Sequence, residues 1–337
     1  MDRQLLKSPG RVLQIILGVG LIVYLGRYVV LRWQEVSDVD LALHFPWLLA
    51  SSLLLVFFYG LYSLTWQRIL RWIDQQEMRL SRLTLMRIFF VSFLTRYLPA
   101  GTLWNVGGRI ELLKREGGRR SVGFESILFE QMYLMGGSIF LAAGAIYLFP
   151  QEGLHDVLQQ YRLLFFLGGV VGCLLLLTAP DWFLWLTARL LQRSELAKTS
   201  DRLTFTRRFE IFVRFVLANL IQGAAGVFVL LAVYPPLLDN TAFLPVFTAA
   251  YPFSRFVGQV VAFLPGGVGI REGTFVLLLG PFLPIKPLVA AAALMRLLSV
   301  VIELIMLAIV LVLHRFAGVA PRSELGGTTS PNEIRKV

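Results

Sequence analysis

The sequence predicts an all-α integral membrane protein with about six full spans and two re-entrant helical hairpins, arranged as an inverted-topology repeat. Three observations carry this reading. The chain is 56% hydrophobic and 16% charged over 337 residues, which is too apolar for a soluble domain of that size. Its arginines and lysines fall in short loops between apolar runs, the placement that sets membrane topology. One Pro/Gly helix break occurs twice, as Leu98-Pro99-Ala100-Gly101 and Leu264-Pro265-Gly266-Gly267, with the prolines 166 residues apart. In a membrane such a break is tolerated only where protein or a cavity satisfies the freed backbone.

The same counts exclude several functions. A net charge of +11 would suit nucleic acid if it lined one face or a tail, but it is spread among loops, so no nucleic-acid partner is expected. Cys173 is the single cysteine, and the three histidines (His44, His155, His314) are scattered, so neither a disulfide framework, a metal site nor a cofactor is expected.

Taken in order, residues 12–31 form a first span behind a basic start, followed by an acidic loop with Glu35, Asp38 and Asp40. A second span begins at Pro46 and ends near Trp66, before a loop rich in arginine. The apolar run 88–98 is only 11 residues, roughly 16 Å against about 30 Å of hydrocarbon, and cannot cross alone. Basic residues flank it on both sides (Arg87 before, Lys114, Arg115, Arg119 and Arg120 after), so it enters and leaves on the cytoplasmic face. Residues 123–148 span outward. The second half repeats the plan inverted: spans over 163–178 and 211–233, an arm over 243–264 kinked at Pro252, a short arm over 274–279, and a last span over 287–313. The expected organisation is one polytopic membrane domain over 1–320, with halves at about 10–150 and 160–316, and a disordered cytoplasmic tail over 321–337. Both termini are expected on the cytoplasmic side of a bacterial-type plasma membrane.

Inverted repeats place substrate near the midplane, where discontinuous helices meet. The site expected here centres on the breaks: Pro99 and Gly101 in the first half, Pro265, Gly266, Gly267 and Gly269 in the second. Their glycines, with Gly107 and Gly108, let backbone N–H groups converge on an anion. Arg109 and Arg271 stand beside the breaks, ten and six residues after the prolines. Glu272, Glu130 and Arg296 complete the set of charges in apolar surroundings, where each carries an insertion cost of at least about 2.5–3.5 kcal/mol. Glu130 and Arg296 each lie 31 residues after their proline, so an ion pair between them across the pseudo-twofold axis is expected. Arg214 reads as snorkelling to the interface; for Arg96 and Arg255, packing and ligand roles stay open.

The run Pro265-Gly266-Gly267-Val268-Gly269-Ile270-Arg271-Glu272-Gly273 resembles the PGG(L/V)G(V/I)xEG signature of the lysylphosphatidylglycerol synthase transmembrane region. That family, also called the flippase-like domain, includes the membrane half of the multiple peptide resistance factor. Pro99-Ala100-Gly101 followed by Arg109, with Glu130 on the next span, is similar to its first-half pattern, and the resemblance covers about residues 10–316. It implies movement of a phospholipid or polyprenyl-linked lipid between leaflets. In the synthases a soluble aminoacyl transferase domain follows; here a short tail follows, so the expectation is a stand-alone member that is not an enzyme.

The expected partner is therefore a membrane lipid with an anionic head group; the oligomeric state stays open. Two alternatives come from other classes. Asp38-Val39-Asp40 resembles the acidic pair of polyprenyl-phosphate-dependent glycosyltransferases, although an ordinary acidic outer loop explains it equally. An accessory or scaffold subunit beside an envelope-lipid biosynthesis enzyme is the other.

Overall fold

The computed structural model describes residues 43–75, 79–97, 101–148, 160–178, 203–260 and 269–317, and these are helical apart from short turns. The expected first span, Asp38 and Asp40, Pro99, Pro265, Gly266, Gly267 and the tail lie outside the described residues. Four of the helices are long and apolar enough to cross a membrane: α1 (Phe45–Ile73), α4 (Arg120–Leu148), α6 (Phe205–Val233) and α9 (Ile285–Phe316). Between them lie the shorter α2 (Arg82–Leu94), α3 (Gly101–Arg115), α5 (Arg162–Thr178), α7 (Leu244–Val260) and α8 (Ile270–Leu279). The fold is all-α and its outer face is lipid-like. Leu163, Leu164, Phe165 and Leu174 on α5, and Leu304, Ile305 and Ile309 on α9, are exposed and would be a liability in water.

Local chemistry sets the element ends. Pro46 opens α1, where the missing N–H is harmless. Ser81 caps α2 by accepting from the Thr84 N–H at 3.0 Å. A tight turn joins α3 to α4. There Gly117, at φ +89°, donates to the Lys114 carbonyl and Gly118 to that of Leu113, both at 2.9 Å, a Schellman ending that needs a residue free to take positive φ.

Packing is reciprocal between the halves. α1 and α6 form the central pair, and Ser51 donates to the Ala225 carbonyl at 2.9 Å across it. Small residues bring the backbones together where no hydrophobic gain exists between helices in lipid. A Cβ at Gly223 would lie 1.9 Å from the Thr248 carbonyl oxygen, so only glycine lets α6 and α7 meet this closely. The hairpin helix α2 packs on α9 of the other half, and the hairpin helix α7 packs on α4. That exchange is what a two-fold relation between the halves requires, and it sets both hairpins against the molecular centre.

Two boundaries differ from expectation. α8 starts at Ile270 rather than 274, which moves Arg271 and Glu272 into its first turn. α3 already begins at Gly101, so Gly107 and Gly108 are interior helix residues. Their N–H groups belong to the helix ladder and do not converge on a ligand.

Candidate functional site

Each hairpin is tied to the span that follows it by one buried ion pair. In the first half Arg109 of α3 donates to Glu130 of α4 at 2.5 Å, with both side chains essentially inaccessible. Arg109 also donates to Ser92 at 3.2 Å and lies over the rings of Trp66 and Phe89. Glu130 accepts from the Tyr62 hydroxyl at 2.7 Å and from the Gln131 amide at 3.0 Å. In the second half Arg296 of α9 donates to Glu272 of α8 at 2.6 Å. The other oxygen of Glu272 accepts from the Gly269 N–H at 2.7 Å, and Gly269 takes φ +84° to present it. Glu130 and Arg296 therefore do not pair with each other as expected. Each finds an opposite charge within its own half, one helix away, which is a shorter reach than the axis.

Between these two anchors lies a cavity of about 70 Å³. Both halves line it: Tyr62 of α1, Phe93 of α2, Asn105 of α3 and Gln131 of α4 from the first, Gln259 of α7 and Ser299 of α9 from the second. Four guanidiniums also face it, those of Arg96, Arg255, Arg271 and Arg296. Arg96, in the single 3-10 turn Thr95–Tyr97 after α2, pairs with Glu303 of α9. That carboxylate also accepts from the hydroxyls of Tyr59 and, at 3.0 Å, Tyr97.

The remaining two arginines are ion-paired with no carboxylate among the described residues. Arg255 is buried, donates to the Asn219 side-chain oxygen at 3.3 Å and lies 5.1 Å from the centre of the Phe58 ring. Arg271 is 9% exposed and stacks 4.5 Å from the centre of Tyr251, and it makes no hydrogen bond among the described residues. Stacking on an aromatic face offsets part of a buried cation's lost hydration, on the order of 0.5–2 kcal/mol. It leaves the donors of that guanidinium without a hydrogen-bond partner among the described residues, and a planar fork of N–H groups is suited to a phosphate or carboxylate.

Of the residues singled out in the sequence, Arg271 and Arg296 line the cavity. Arg109, Glu130 and Glu272 sit behind it as the two anchors, and the Gly269 N–H is taken up by Glu272. Gly101 opens α3. Arg214, read as snorkelling, pairs with Glu210 one turn away at 2.8 Å.

Sequence reasoning passed over Tyr59, Tyr62 and Tyr97, the phenols that hydrogen-bond the buried Glu303 and Glu130. A signal for two of them was present. Tyr59, Tyr62 and Trp66 recur at helical spacing in an apolar run, which puts three polar-tipped aromatics on one face. Arg96 and Arg255 stood out as charges in apolar runs, but their roles stayed open because their partners are 207 and 36 residues away.

Comparison with curated proteins gives no match. A family model described as the lysylphosphatidylglycerol synthase TM region matches residues 11–306, so the breaks, both anchors and the cavity all lie inside the match. With its helices long and apolar enough to cross a bilayer, the chain is a multi-pass membrane protein and belongs to the family of the lysylphosphatidylglycerol synthase transmembrane region, a lipid-related membrane domain.

Proposed function

We infer that this protein moves an anionic lipid between leaflets, its head group passing through the cavity between the two hairpins while the acyl chains stay in the bilayer. One observation supports the reading: two buried guanidiniums, Arg255 and Arg271, face a cavity inside a membrane domain and form no ion pair among the described residues. An intramembrane charge costs at least about 2.5–3.5 kcal/mol, and a ligand that arrives with the opposite charge supplies what the fold leaves out. The role is transport, with no bond made or broken. The arginine-rich ends around Arg68, Arg82 and Arg119 are assigned to the cytoplasmic side of a bacterial-type plasma membrane by the positive-inside rule.

The test is leaflet exchange in proteoliposomes, read by reduction of a fluorescent phosphatidylglycerol in the outer leaflet. Wild-type protein is expected to expose the inner-leaflet probe, and the Arg255→Ala/Arg271→Ala variant to do so at least about tenfold more slowly, the equivalent of about 1.4 kcal/mol. No exchange of any anionic lipid by the wild type would overturn the transport reading. Unchanged exchange by a folded double variant would remove Arg255 and Arg271 from the transport path, and no exchange by the wild type would favour the accessory-subunit alternative.

A further inference from the structure

The charge count at the cavity goes further than the sign of its ligand. Four guanidiniums line it, those of Arg96, Arg255, Arg271 and Arg296. Two carboxylates pair with them, Glu303 with Arg96 and Glu272 with Arg296. The segments 98–100 and 261–268, which connect the hairpin helices in sequence, contain no ionisable side chain. Glu130, behind the cavity, is already matched by Arg109. Among the described residues the cavity thus carries an excess of two positive charges, in surroundings whose low dielectric screens them poorly.

The cavity has room for several waters, and so for a phosphoryl group. A phosphodiester brings one negative charge and a substituent that must be housed beyond the phosphate. A phosphomonoester brings about 1.5 to 2 negative charges near neutral pH, with a second pKa of about 6, and three free oxygens for guanidinium donors.

Building on the anionic-lipid reading above, we propose that the cavity between the hairpins selects a lipid whose head group is a bare phosphomonoester dianion, held by Arg255 and Arg271, over phosphodiester lipids with the same chains. Arg96 and Arg296, already paired, shape the walls; Arg255 and Arg271 supply the two uncompensated charges.

The experiment is a thermal-shift titration of the full-length protein in neutral detergent with dioleoyl phosphatidic acid, dioleoyl phosphatidylglycerol or inorganic phosphate. It is run at about pH 8 and about pH 5, on either side of the second phosphate ionisation near pH 6. Phosphatidic acid is expected to bind about tenfold more tightly than phosphatidylglycerol at the higher pH, and to fall towards parity at the lower, where it is a monoanion. Arg255→Gln and Arg271→Gln are each expected to reduce that preference, while Arg214→Gln, at a surface ion pair, retains it. The head-group and pH comparisons use wild-type protein, so they decide the matter even if a variant misfolds. Equal binding of the two lipids at the higher pH overturns the dianion preference and leaves the anionic-lipid reading standing. No binding of either lipid overturns both. Inorganic phosphate saturating in the same range as phosphatidic acid overturns the lipid as the source of the phosphate.

Discussion

Arg296 donates to Glu272 at 2.6 Å, and this contact repeats with the charges exchanged the one that Arg109 makes with Glu130 at 2.5 Å. Glu130 and Arg296 hold equivalent places, each 31 residues after its proline, so the same position carries opposite charge in the two halves. A hairpin that breaks a helix in lipid must be held against its neighbour, and one buried ion pair per half does this. Removing one partner strands the other charge. Arg109→Ala is expected to destabilise the protein by about 3–5 kcal/mol, whereas the Arg109→Met/Glu130→Met double variant should recover most of that loss. Chemical unfolding of the four proteins of the cycle measures the coupling, and strictly additive costs would sink it.

Arg271 behaves in the opposite way because it has no partner to strand. Replacing it by methionine removes a buried cation and keeps a long apolar stem against Tyr251. The thermal midpoint of Arg271→Met is expected to stay level or rise while leaflet exchange falls, a trade of function against stability. A large drop in midpoint would instead make Arg271 a structural residue.

Two glycines give contrasting predictions for packing. At Gly223 an added Cβ would meet the Thr248 carbonyl at 1.9 Å, so Gly223→Ala forces α6 from α7 and should cost about 1–3 kcal/mol. At Gly107, exposed within α3, nothing lies within 4 Å, and alanine is a better helix former by about 1 kcal/mol. Gly107→Ala should therefore match or exceed wild-type stability. Thermal unfolding of both variants checks the pair, and the wrong order would contradict the close approach of α6 and α7.

The inverted repeat is open to a direct test. Lys114 lies at the end of α3 and Lys286 at the start of α9, both exposed, and the native Cys173 is buried and gives little background. Single cysteines at the two lysine positions should react with an impermeant maleimide from opposite sides of sealed vesicles. Labelling of both from one side would rule out an inverted arrangement.

The fold was largely legible because membrane insertion reads the chain one segment at a time. Apolar runs of sufficient length mark α1, α4, α6 and α9, and the expected starts near Pro46, 123, 211 and 287 fall within six residues of the observed ones. The site was legible only in part. Arg271 and Arg296 could be picked out because an arginine in an apolar run is anomalous by itself. Arg96 and Arg255 are equally anomalous, but their meaning depends on what the other half of the chain brings to them. The expected pairing of Glu130 with Arg296 failed for the same reason: equal spacing from two prolines shows that positions are equivalent and says nothing about which of them touch.

What the sequence by itself determined is the solvent the chain lives in, the places of the long apolar helices α1, α4, α6 and α9, the doubling of the Pro/Gly break and the list of charges that cannot be explained by lipid. Those follow from composition and local order, which insertion into a bilayer enforces. Only the tertiary structure decided which charges cancel. Glu130 takes Arg109, Glu272 takes Arg296 and Glu303 takes Arg96, and among the described residues this leaves Arg255 and Arg271 without an ion pair around one cavity. Neutralisation in a low dielectric is settled over a few ångströms, and distances on that scale between residues far apart in sequence exist only once the two halves are packed.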